Sequence, residues 1–90
     1  MGIAAIKLKI MPSSPETDLE NLKKQAKEKV ISLNGKINCI EEQPVAFGLK
    51  AVIITIAWPE EQSTEQLENA FSEIKEINSA QIIDYRRSFG

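Results

Sequence analysis

The residues that most enzymes use for acid–base or nucleophilic chemistry are scarce in this chain. It has no histidine and a single cysteine, Cys39, so one chain supplies neither a Cys–His pair nor a set of zinc ligands. Cys39 stands in an apolar strand pattern and is interpreted as a buried packing residue. The pairs Glu41–Glu42 and Glu60–Glu61 lie beside turns, where solvated charge is the ordinary state. The sequence therefore predicts a protein that makes and breaks no covalent bonds and uses no metal or cofactor.

Two adjacent arginines, Arg86 and Arg87, are the best candidates for binding an anion. A guanidinium is always charged, and its planar fork matches phosphate and carboxylate groups. Only residues 88–90 follow, which puts the pair on a short terminal arm able to reach a partner. From the sequence alone, however, the favoured interpretation is a charged edge strand that discourages association between sheets. Which arginine points outward stays open, because a one-residue shift of register exchanges their faces.

An aromatic residue, Phe47, stands where a strand begins, with backbone constraints on both sides of it. Pro44 fixes its own φ and disfavours the helical region for Gln43, so the chain enters this segment extended. Gly48 allows a bend that a Cβ would resist. From the residues alone, simple packing of Phe47 is the slightly favoured interpretation, and the constraints on both sides make an exposed anchor the alternative. Trp58, at the far end of the strand, is predicted to fill the edge of the core.

Length and composition limit the class of protein. Ninety residues suffice for one domain with one core, and 42% apolar with 27% charged residues is ordinary for a soluble fold. The net charge of -2 argues against direct nucleic-acid binding, which needs clustered lysine and arginine. Neither a signal-peptide pattern nor an apolar run of about 20 residues is found. We therefore expect a cytoplasmic protein without a membrane partner.

The first half of the chain predicts a strand, a helix and a second strand. Residues 3–11 alternate between the two faces of a half-buried strand, with Lys7 and Lys9 on the polar one. Thr17 and Glu20 fit a capping box at the start of a helix that Asn34–Gly35 ends. A strand of less regular pattern follows over residues 36–42.

The second half predicts the same order again. Residues 49–58 are apolar on both faces, as in the middle of a sheet, and Pro59 closes that strand. Ser63 and Gln66 repeat the capping-box pattern before a helix whose apolar stripe includes Leu67 and Phe71, with Asn78–Ser79 as its end. Residues 80–87 form the last strand.

The order βαββαβ is that of the ferredoxin-like α+β fold, a four-stranded antiparallel sheet with both helices on one face. The fold hosts many activities and does not fix one. A phosphatase would need an arginine cradle after the first strand, an RNA-binding sheet would need aromatics on its central strands, and a metal chaperone would need paired cysteines. The sequence lacks each of these patterns.

Several segments, in this order and at this spacing, resemble the archaeal translation elongation factor 1-beta family over essentially the whole chain. The central segment is the most specific, because eukaryotic relatives carry a Pro-x-Gly-(Phe/Tyr)-Gly-Ile-Lys-Lys motif there. Two departures are that Ala46 replaces the first glycine of that motif and that Arg87 stands in place of a lysine near the eukaryotic C-terminus. The matching segments are Met11–Pro12, Pro15 with Asp18–Leu19, Leu22–Lys24, Glu42–Leu49 and Asp84–Arg87.

The resemblance implies a single guanine-nucleotide exchange domain over residues 1–90. Such a factor docks on GDP-bound elongation factor 1-alpha and speeds GDP release, so that GTP can bind during translation. By the same resemblance, Phe47 packs against that partner, with Gly48, Pro44 and Lys50 beside it. Arg87, or its neighbour Arg86, would act near the magnesium ion and the phosphates.

A different class of function remains the alternative. A regulatory ferredoxin-like module would form a homodimer through its sheet and bind a small metabolite at the interface. Such a dimer needs an apolar, self-complementary sheet face, whereas Lys7 and Lys9 charge this one. We therefore expect a monomer when the protein is free.

Overall fold

Four strands and two helices make up the part of the chain, residues 2–87, that the computed structural model describes. A short 3₁₀ turn, Ala46–Gly48, connects the second and third strands. The predicted element order is confirmed. The elements are β1 (Ile3–Pro12), α1 (Leu19–Ser32), β2 (Lys36–Pro44), β3 (Lys50–Pro59), α2 (Glu65–Ser72) and β4 (Ile77–Arg87).

The sheet has the strand order β2-β3-β1-β4, and every neighbouring pair is antiparallel. With two helices in the order βαββαβ, this is the predicted ferredoxin-like α+β fold. Strands β3 and β1 lie in the middle, which explains why β3 carries apolar residues on both faces. Strands β2 and β4 form the two edges.

One apolar cluster lies between the sheet and the helices. Alternate residues of β1 and β3 point into it, and the stripes of α1 and α2 cover it. Lys7 is exposed on the opposite face, as the alternation predicts. The members with no exposed surface include Ile6, Leu8, Ile10, Leu22, Ala26, Val30, Val52, Ile54, Ile56, Trp58, Leu67 and Phe71.

The two ends of α1 differ in how well the sequence predicted them. Thr17 was the wrong N-cap: the helix begins at Leu19 and its cap is Asp18, whose carboxylate accepts hydrogen bonds from the N–H groups of Glu20 and Asn21. The predicted stop is confirmed, since Asn34 has a φ of 70°. The N–H of Gly35 then donates to the Val30 carbonyl at 2.9 Å, which completes a Schellman ending.

The predicted end of α2 at Asn78–Ser79 is wrong. The helix ends at Ser72, and both of those residues lie in β4, which begins three residues earlier than expected. The start of α2 is closer to the prediction: the Ser63 hydroxyl accepts a hydrogen bond, but from the N–H of Glu65 at 3.2 Å. No helix within residues 2–87 has the length and apolar character that crossing a membrane requires.

Candidate functional site

The hairpin between β2 and β3 presents Phe47 at its tip. Pro44 pairs with Lys50 at the base, and the Val45 N–H donates to the Leu49 carbonyl at 2.8 Å to close the loop. Phe47 itself has φ 61° and ψ 31°, and Gly48 has φ 75°. Both residues therefore occupy the left-handed region. The bend predicted at Gly48 is confirmed, and it extends to Phe47.

Phe47 is 92% exposed, so its ring does not pack into the core. A left-handed backbone at a bulky residue is rare and costs on the order of 1–3 kcal/mol. The fold therefore carries both strain and an exposed ring at one position without any gain in packing. Such a combination indicates a residue kept for contact with another molecule.

Gly48 is needed for its backbone conformation and not for lack of space. A Cβ built at this position would come no nearer than 4.0 Å to another atom, the Cβ of Pro15. A positive φ of 75° nevertheless disfavours any residue with a side chain. The same contact distance shows that the loop after β1 runs beside the hairpin tip.

A chain of three charged side chains connects the base of the hairpin to α1. The Lys23 ammonium donates to Glu42 Oε2 at 2.5 Å, and Lys50 Nζ lies 3.9 Å from Glu42 Oε1. The hydrogen bond from Lys23 lowers the pKa of Glu42, and the same bond raises the pKa of Lys23. Glu42 is exposed, as a solvated carboxylate should be, and the sequence did not predict that it also pairs with the helix.

The two arginines lie on opposite faces of edge strand β4. Arg87 pairs with the buried Ala4 and so stands on the helix side, whereas Arg86 pairs with Ala5 on the open face. Arg87 Nε lies 3.8 Å from Glu60 Oε1, and Arg86 Nε lies 3.1 Å from Asp84 Oδ2. Both side chains are exposed, and exposed ion pairs are weak, so each can exchange its partner for another anion. The pair was predicted to sit on a short terminal arm, but both arginines pair with β1 as part of β4. Residues 88–90, the rest of that arm, lie outside the described residues.

The hairpin tip and the arginines lie at opposite ends of the sheet. Phe47 lies just beyond the paired residues Pro44 and Lys50. Arg87 lies level with Trp58 across the sheet, because both pair with the same residue of β1, and Trp58 is eight residues after Lys50 along β3. At about 3.3 Å per residue, these two levels of the sheet are about 26 Å apart. The structure therefore does not bring the sequence-predicted residues into one pocket, and it leaves two separate candidate contact points.

Comparison with known proteins identifies the family of this chain. The family model described as the EF-1 guanine nucleotide exchange domain matches residues 5–87. The chain belongs to this exchange family. It is 42% identical over 88 residues to elongation factor 1-beta of Methanosarcina barkeri, with 97% of this chain and 99% of that protein covered. Elongation factor 1-beta of Haloarcula marismortui is 41% identical over 83 residues, covering 91% of this chain and 93% of the relative.

The placement of Cys39 differs from the prediction made from the sequence. It was predicted to be buried, but it is exposed on edge strand β2. The cause is a register shift between Ile37 and Cys39, which places Cys39 opposite Thr55 on the open face. Within residues 2–87 the structure holds no group of three or more metal-ligating side chains.

The ion pair that supports the hairpin should make stability depend on pH. The pKa of Glu42 lies below the ordinary 4.5, so the pair stabilises the fold above that pH and loses its effect as acid protonates the carboxylate. The pKa of Lys23 lies above the ordinary 10.5, so the contribution persists below that pH and is lost as pH rises further. Glu42→Gln should therefore lower the free energy of unfolding near neutrality.

Urea denaturation at neutral pH and at about pH 3, where carboxylates are largely protonated, measures this effect. The difference between the native chain and Glu42→Gln should shrink in acid. Glu41→Gln removes the same charge from the next residue of β2 and is the matched control. A difference that is equal at both pH values would contradict the assigned pairing.

Proposed function

We propose that this chain docks on GDP-bound elongation factor 1-alpha and accelerates the release of GDP, so that GTP can bind during translation elongation. Membership of the exchange family and the archaeal relatives named elongation factor 1-beta support this proposal. The single observation that carries it is Phe47, exposed and strained at the hairpin tip. Exchange requires no bond to be made or broken.

Phe47 is the docking anchor. An aromatic ring that enters a pocket of the partner gains a large apolar contact at low entropic cost, as hot-spot residues do. Gly48 and Pro44 hold the backbone around it, and Lys50 adds a charge at the base of the hairpin, where Glu42 limits its motion. The ring is therefore presented in a defined direction before binding, which reduces the ordering cost of association.

Arg87 is the residue that weakens nucleotide binding, with Arg86 as its neighbour on the other face. A guanidinium brought close to the magnesium ion and the phosphates of GDP competes with the metal for the same negative charge. Exchange factor and nucleotide then each lower the affinity of the GTPase for the other, as thermodynamic linkage requires. GDP consequently leaves, and GTP at high concentration displaces the factor.

The two contact points are about 26 Å apart, which is too far for one pocket of the partner to hold both. Phe47 and Arg87 must touch different regions of the partner at the same time. Docking and nucleotide release are then separable functions of one rigid sheet. A monomer is sufficient for both, and its mass should not depend on concentration.

The experiment is release of a fluorescent GDP analogue from archaeal elongation factor 1-alpha, with catalytic amounts of the native chain. We expect a release rate that rises with the concentration of the factor and then saturates. No acceleration at any concentration would overturn the proposal. A mass that doubles with concentration would instead favour the dimeric, metabolite-binding module.

Replacing Arg87 by alanine should lower the saturating rate of GDP release by at least about tenfold, as expected for loss of one charged contact in a desolvated site. The concentration of factor at half-saturation should change little, because docking depends on Phe47. Arg86→Ala is the matched control and should retain most of the rate. The opposite ranking would transfer the role to Arg86, and two unaffected variants would place the trigger elsewhere.

A further inference from the structure

A groove runs between α1 and the outer edge of β2, away from both contact points described above. It encloses about 520 Å³, which is within the common range of about 300–1,000 Å³ for binding clefts. The groove opens to solvent along the edge of the sheet, where a long ligand could lie. Its lining residues are Lys27, Ile31, Lys36, Ile37, Asn38, Cys39 and Ile40.

The fold uses only part of the apolar wall of this groove. Ile31 is 65% exposed, although it follows directly after Val30 in the buried stripe of α1. Ile37 and Ile40 of β2 pack in part against the core and are half-buried on the other wall. Exposed aliphatic side chains that gather in one concave place, with polar residues at its rim, are typical of interaction sites.

The positive charge of the groove favours an acidic partner. Lys27 stands on the helix wall and Lys36 on the strand wall, and none of the seven lining residues is acidic. Within residues 2–87 neither lysine forms an ion pair with a carboxylate. A ligand that places an apolar stripe between two rows of carboxylates would complement both the walls and the rim.

The shape of the edge indicates a helix and not an added strand. The register shift between Ile37 and Cys39 interrupts β2 in the middle of the groove. Such a bulge twists a strand edge and opposes regular pairing with another chain. A helix needs no backbone hydrogen bonds from the edge, and it can pack beside α1 at the usual distance of about 8–10 Å.

We propose that this groove binds an acidic amphipathic helix of a protein partner other than the GTPase. It lies at the β2 edge, whereas the arginines lie at the β4 edge, three strand spacings or about 14 Å away. The helix and the GTPase can therefore be bound together. This second site would hold the exchange factor near another protein, and it does not depend on the exchange activity.

Two dye-labelled synthetic peptides serve as probes, each of about 18 residues, or five helical turns, with the same leucine stripe. One carries glutamates on its polar face and the other lysines. Fluorescence anisotropy measures the bound fraction of each peptide as the protein concentration rises. When the free protein is at about twice the Kd, about two thirds of the acidic peptide should be bound. The basic peptide should show little binding.

Variants of the walls make the test specific. Ile31→Glu should weaken binding of the acidic peptide by more than about tenfold through loss of an apolar contact. Combined Lys27→Glu and Lys36→Glu should weaken it about tenfold and improve binding of the basic peptide. Lys24→Glu changes another exposed lysine of α1 that does not line the groove, and it should have little effect.

Three results would overturn the proposal. The first is no binding of the acidic peptide, and the second is equal binding of both peptides. The third is a mass that doubles with protein concentration while binding of the acidic peptide is lost, because a second copy of the chain would then occupy the groove. Far-UV circular dichroism of each variant separates lost binding from lost folding.

Discussion

Phe47→Ala should weaken docking on elongation factor 1-alpha by about 30-fold or more, the effect of removing a hot-spot residue worth at least about 2 kcal/mol. The ring is 92% exposed, so the truncation leaves no cavity in the domain. The free energy of unfolding should therefore change little. Titration of the GDP-release rate against factor concentration measures the effect. The factor concentration needed for half-saturation should rise, whereas the saturating rate should change less.

Conservative variants at the same position distinguish an anchor from a loop that needs only its backbone shape. Phe47→Tyr keeps the ring and should retain most of the docking strength, whereas Phe47→Gly keeps the bend and removes the ring. Glycine accepts the observed φ of 61° without strain, so this variant should be folded at least as well as the native chain. Full exchange activity in Phe47→Gly would contradict the anchor.

The comparison of Phe47→Gly with the native chain also tests why the strain is present. If the ring serves only the partner, then the variant loses docking without losing stability. Stability and activity then depend on opposite choices at one residue, as is common for functional sites. A loss of stability would instead mean that Phe47 packs on the hairpin and contributes to the fold.

The topology could be predicted because each strand and helix has a distinct period. Alternation of apolar residues in β1 defined which face is buried, and the turn residues Asn34 and Pro59 separated neighbouring elements. Strand β3 was recognised as central from apolar residues on both faces. These signals are local, so one sequence contains them in full.

The errors lie where tertiary contacts override a local signal. Asn78 and Ser79 were predicted to end a helix, but Ser79 and the preceding Ile77 pair with the end of β1, which extends β4 towards the loop. Cys39 was expected in the core, and a bulge in β2 places it at the surface. A register shift has no sequence signature of its own, because it depends on the partner strand.

The candidate site likewise has features that local signals predict and features that depend on tertiary contacts. Pro44 and Gly48 indicated a constrained backbone on both sides of Phe47, so this residue could be selected as a candidate from the sequence. The pairing of Glu42 with Lys23 could not, because the two residues are 19 positions apart and meet only when α1 packs beside β2. The distance between Phe47 and the arginines likewise required the sheet.

Trp58→Ala should cost about 3–5 kcal/mol of the free energy of unfolding, the largest expected effect on stability. The indole has no exposed surface, and it packs so closely on the backbone of Gly35 that a Cβ there would lie 3.0 Å from its Cε3. Domains of this size have about 5–13 kcal/mol in total, at about 0.05–0.15 kcal/mol per residue. The substitution therefore removes a large share of that total, and the variant should unfold at a clearly lower denaturant concentration.

Part of this effect should be transmitted through a hydrogen-bonded connection between β3 and α1. The indole Nε1 donates to the carbonyl of Gln62 at 3.2 Å, and the Gln62 side chain donates to the Leu33 carbonyl at 2.7 Å. Asn34 in turn donates to the Gln62 side-chain oxygen at 3.2 Å. Trp58 therefore positions the turn that holds the end of α1.

Guanidinium denaturation followed by far-UV circular dichroism measures these changes, because the variants remove the only tryptophan that fluorescence could report. Trp58→Phe keeps most of the apolar volume but loses the N–H donor, so it should cost less than Trp58→Ala. Gln62→Ala keeps the indole and breaks the connection to α1, with an expected cost of about 1–2 kcal/mol. A Trp58→Ala variant as stable as the native chain would mean that the indole does not fill the core. Equal losses for Trp58→Phe and Trp58→Ala would assign the stability to the hydrogen bond and not to packing.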